Sequence, residues 1–100
     1  MIGLGMANKK KVPSVEDVQV VALYDHSSGT IKHLHMVTTL RGATRLTQEE
    51  AITEAKTQAR RRNSNIDDLA VALSNDVEHG RYPHRIDPNT KMFVPLFAEK

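Results

Sequence analysis

Histidine is the side chain of this sequence best suited to ligating a metal or moving a proton near neutral pH, and two of the five, His33 and His35, stand one residue apart in IKHLHMVTT. Residues two apart in a strand share a face, so both imidazoles could converge on one ion. Cysteine is absent, which removes disulfides, thiolate zinc sites and a thiol nucleophile and leaves histidine and carboxylate as ligands. A zinc site needs a third protein ligand, and nothing in the spacing of His26, Glu78, His79 and His84 places one beside the pair. The expected arrangement is a polar stripe on a half-exposed sheet face, with Leu34 and Met36 directed to the core from the other face. No cofactor is expected, and histidine-based metal binding ranks third among the functional readings.

Acid–base chemistry finds little support. Glu49, Glu50, Asp67, Asp68 and Asp87 sit where helix starts and turns account for them, and no nucleophile elbow, P-loop or dinucleotide-binding glycine pattern occurs. The chain is therefore expected not to be an enzyme. Two basic runs, Lys9, Lys10, Lys11 and Arg60, Arg61, Arg62, could contact phosphates. Three successive helical residues point in three directions, however, and there is no aromatic partner beside them and no helix-turn-helix, RRM or KH signature. Solvated charge is the expected role of both runs, and weak nucleic-acid binding through these six residues is the alternative function.

The elements that must position these side chains follow from the hydrophobic pattern. VQVVALYD and TIKHLHMVTTL are β-branched runs separated by DHSSG, whose Gly29 suits a turn residue with positive φ; together they predict a β-hairpin. Thr47 and Glu50 form a capping box, so a helix starts there, with Ile52, Ala55 and Ala59 as its buried stripe, Ala51 and Gln58 at the margins, and Asn63 as its stop. Leu69, Val71 and Leu73 alternate as a strand would, while Ile66, Leu69, Ala70, Leu73 and Val77 fit a helical period. A return strand over 69–73 is the expectation, because a second helix joined by three residues demands a sharp corner. YPHRIDPNTKMFVPLF reads as a second hairpin turning at DPNTK, with Ile86 facing Phe93 and Tyr82 facing Phe97.

The first strand is apolar on both sides, with Val18, Val20, Ala22 and Tyr24 on one face and Val21 and Leu23 on the other. A lone antiparallel sheet leaves one face wet, so the histidine side is expected to be covered in part by another element or another molecule. A four-residue loop over 26–29 would set Ala22 opposite His33 and Val20 opposite His35; a three-residue loop would set Leu23 and Val21 there. Val21, Leu23, His33 and His35 are thus the candidate interaction surface.

One hundred residues suffice for one core, and an apolar content of 39% leaves little margin. The longest aliphatic run, VVAL, is far below the roughly 20 residues that cross a bilayer. The opening MIGLGMANKKK places apolar residues before lysines, the reverse of a signal peptide, and Met6 offers an alternative start. The expectation is a cytoplasmic α+β protein without a membrane partner. Residues 1–14 are expected to form a mobile tail and 15–100 a single domain: a small antiparallel sheet of N-terminal hairpin, third strand and C-terminal hairpin, covered by one or two helices. Its expected function is that of a small non-catalytic interaction module, homodimeric through a sheet edge or the His33/His35 face.

Overall fold

The structure, a computed structural model, describes residues 14–62 and 65–96. The expected tail over 1–14 therefore lies outside the described residues except for Ser14, as do Lys9, Lys10, Lys11, Asn63 and Phe97. The architecture is α+β. Strands β1 (Val15–Asp25), β2 (Ile31–Leu40) and β3 (Leu69–Ser74) form an antiparallel sheet in the order β2-β1-β3. Helix α1 (Gln48–Arg62) lies between β2 and β3 in the chain, and the single turn α2 (Glu78–Arg81) follows β3. Strands β4 (His84–Ile86) and β5 (Phe93–Pro95) pair as a separate two-stranded sheet.

Gln19 through Tyr24 of the central strand are all buried, because β1 supplies both layers of the core. Val21 and Leu23 pack against Ala51, Ala55 and Ala59 of α1, with Ile66 closing the cluster. Ala22 and Tyr24 pack on the other side with Ala72 and Ile86, and Phe93 joins them from β5. The stripe of α1 is made of alanines, with Ile52 only partly buried; small side chains let the helix axis approach the sheet closely. Its start is the capping box read from the sequence. The Thr47 N–H donates to Glu50 Oε1 at 2.8 Å, and the Glu50 N–H donates to Thr47 Oγ1 at 3.1 Å.

Both hairpins turn through the same loop. The amide of the last residue in each four-residue loop closes on an aspartate carbonyl: Gly29 N–H to Asp25 O at 2.7 Å, and Lys91 N–H to Asp87 O at 2.6 Å. Each aspartate carboxylate accepts the amide two residues on, from Ser27 at 2.8 Å and from Asn89 at 2.9 Å. The Ser27 hydroxyl and the Ser27 and Ser28 amides hold the Asp25 carboxyl below its ordinary 3.8. The last loop residue has positive φ in both, 82° at Gly29 and 62° at Lys91. Only glycine is at ease there, so Lys91→Gly is expected to stabilise the fold by about 0.5–1 kcal/mol, the relief of left-handed strain less the added freedom of the unfolded chain. An unchanged or lower thermal midpoint would contradict it.

The hairpin of β1 and β2 departs from simple alternation. Asp25 N–H donates to Thr30 O at 2.9 Å, so the loop over 26–29 has four residues, yet Leu23 faces His33 and Val21 faces His35. A bulge between the Tyr24–Ile31 and Leu23–His33 pairs inserts one extra residue, Lys32, into β2 and reverses the faces of every residue after it.

Candidate functional site

The bulge turns His33 and His35 toward α1, onto the face of Val21 and Leu23. The four nominated residues thus do share one face, with Val21 and Leu23 inside it and His33 and His35 half-buried at its rim. Val21 and Leu23 are fully buried under the helix and offer nothing to a partner while α1 is docked. Leu34 and Met36, expected to point to the core, do lie on the face of Ala22 and Val20, but at its rim, where both stay exposed.

His35 Nε2 lies 2.9 Å from Glu54 Oε1, which ties the middle of α1 to the edge strand. His33 has no such anchor: its Nε2 is buried and has no hydrogen-bond partner among the described residues. Burial lowers the proton affinity of His33 below its ordinary value, and the charges of Arg62 and His35 lower it further. The two rings are nearly parallel, with centroids 6.5 Å apart and planes 14° from one another. Rings so placed do not direct two nitrogens at one ion, which would have to lie about 2.0–2.1 Å from each. Among the described residues, no group of three histidine or carboxylate side chains is arranged to hold a metal.

Arg60, Arg61 and Arg62 are exposed on the last turn of α1, where they complement the helix dipole. Ahead of the helix, Arg45 donates from Nε to Asp17 Oδ2 at 2.8 Å. No helix in the described residues is long and apolar enough to cross a membrane.

A cluster that the sequence reading missed lies between β3 and β4. The Ser74 hydroxyl oxygen accepts the Asp76 amide at 2.9 Å and sits 2.6 Å from His79 Nδ1, while His79 Nε2 is 3.9 Å from Asp76 Oδ2. The His79 ring stacks on Phe93 at 4.6 Å with an interplanar angle of 4°, and His84 meets it edge-on at 5.0 Å. Serine, histidine and aspartate invite a nucleophilic reading. Their bonds, however, lock the turn that leads into α2, whose Glu78 amide donates to Asp76 Oδ1 at 2.9 Å. The signal for this lock was present as Ser74 and Asp76, each two residues before an amide it satisfies.

The remaining surface of note is the rim of the sheet. The order β2-β1-β3 leaves the outer edges of β2 and β3 without a strand partner among the described residues. β3 is short and flanked by Asp67, Asp68 and Asp76, which discourage strand addition. β2 is ten residues long, pairs without interruption from His33 to Thr39, and carries one charge, Lys32, at its bulged end. Leu34, Met36 and Leu40 lie along one face of it, the face of Ala22 and Val20, with 36, 40 and 40% of their surface exposed. Compared with known protein families, curated proteins and solved structures, the chain has no match.

Proposed function

We propose that this protein is a small non-catalytic interaction module that associates with a second copy of itself through the outer edge of β2. The observation that carries the reading is the conjunction on β2 of unpaired backbone with an exposed row of Leu34, Met36 and Leu40. An edge strand of this length is ordinarily guarded by charge, proline or a bulge, and between His33 and Thr39 this one has none of the three.

A second copy fits this edge because the edge is self-complementary. Antiparallel pairing about a two-fold axis at His35 sets Leu34 beside Met36 of the second copy and Lys32 beside Thr38 of the second copy. Lys32, the one Lys or Arg of the strand, meets no like charge. The pairing supplies backbone hydrogen bonds along β2 and buries the apolar row, joining two three-stranded sheets into one of six.

Sedimentation equilibrium tests the proposal. The wild-type chain should be dimeric at high micromolar concentration, and Met36→Lys should weaken association at least about tenfold, the equivalent of about 1.4 kcal/mol. Met36 is partly exposed, so the variant monomer should stay folded. A wild-type chain that is strictly monomeric at that concentration would remove the proposal.

A further inference from the structure

We propose that His33 is a proton-operated release for helix α1: protonation of its imidazole loosens α1 from the sheet and uncovers Val21 and Leu23. This proposal stands apart from the pairing of β2 and draws on the opposite side of that strand. A neutral His33 can keep its proton on Nδ1 and leave only a lone pair at the buried Nε2, which is a tolerable omission. A protonated ring must place an N–H at Nε2, where no acceptor waits among the described residues and water does not reach that nitrogen, although the ring as a whole is only half-buried.

The neighbours make that charge less welcome. Arg62 acts on it from the last turn of α1, and His35 acts on it from its own strand with ring centroids 6.5 Å apart. His35 is itself engaged by Glu54 from α1 at 2.9 Å, so that carboxylate is committed elsewhere. Across the ladder on β1 the partner of His33 is Leu23, which carries no charge. Acid therefore adds a cation under the cationic end of a helix whose docking face consists of alanines. That end of α1 is the part with least to lose by leaving, because small side chains bury little apolar area.

The sign of the pH dependence follows from linkage. The unfolded chain takes up the His33 proton near the ordinary 6.5, and the folded chain resists until lower pH. The stability that depends on neutral His33 is thus complete above that value and is lost as pH falls from 6.5 through the lowered folded value. Asp25 works in a separate range: its lowered carboxyl costs stability only as pH falls below its ordinary 3.8.

Amide hydrogen exchange followed by NMR on the full chain, at about pH 7.5 and about pH 5.5 with intrinsic rates corrected, isolates the histidine window from the carboxylates. The expected result is a loss of protection at the Ala55 and Ala59 amides at the lower pH, with Val20 to Leu23 of β1 still protected. His33→Leu and His33→Gln should both retain α1 protection at the lower pH, and either variant that folds suffices. The proposal is overturned by equal α1 protection at the two pH values, by a loss that spreads equally over β1, or by an undiminished loss in the His33 variants.

Discussion

Gly29→Ala is expected to cost about 3 kcal/mol or more of unfolding free energy, measured as a fall in urea midpoint at unchanged slope. Gly29 sits at φ 82°, and a Cβ there would overlap the carbonyl oxygen of Ile86. That atom is backbone and cannot swing aside as a side chain would. The same spot is the joint between the two sheets, since the Ile86 N–H donates to Gly29 O at 2.8 Å and Thr30 bridges to Arg85. Moving Ile86 to admit a methyl group therefore breaks the joint as well as straining the turn. Gly42 supplies the control: its φ is 88°, yet nothing lies within 4 Å of a Cβ placed there. An equal loss for Gly42→Ala would assign the whole effect to backbone strain and contradict the joint.

Ile86→Ala should be nearly as damaging, at about 3 kcal/mol within the 2–5 kcal/mol usual for a buried isoleucine. Ile86 is fully buried and fills the space between Ala22, Tyr24 and Ala72. Two of those three neighbours are alanines with no reach to close a cavity. A domain of this size commonly has only about 5–15 kcal/mol in hand, so the loss would be visible in any melt. A change below about 1 kcal/mol would mean that β4 and β5 do not seal the second face of β1.

Much of this fold was legible because its signals are local. The capping box of Thr47 and Glu50, the two aspartate-led loops, and the pairing of Ile86 with Phe93 each need only neighbouring residues to specify them. The strand at Leu69–Ser74 was ambiguous by pattern, and topology chose correctly between the two periods. The candidate site was harder. Val21, Leu23, His33 and His35 do share a face, but whether that face looks out or in depends on the single extra residue at the bulge. A bulge settles a conflict between turn geometry and packing across the sheet, and neither residue type nor spacing announces it. The exposure of Leu34 and Met36 was hidden by the same residue, and the lock around Ser74 and His79 was hidden because Phe93 reaches it from a distant strand.

The unbroken run of buried residues from Gln19 to Tyr24 has a consequence for how this sheet finds its alignment. In most two-faced strands, sliding by one position throws greasy side chains into water, and that penalty alone forbids the slip. Here a slide would exchange one oily face for another. Correct alignment must instead come from the polar groups that fit in only one position: Gln19 Nε2 donating to Leu46 O at 2.9 Å, Asn75 Nδ2 donating to Val18 O at 3.0 Å, and the carboxylate of Asp25 gripping its loop. Two amides and one acid act as the pegs of this strand, and a chain stripped of them could stay compact while losing its unique threading.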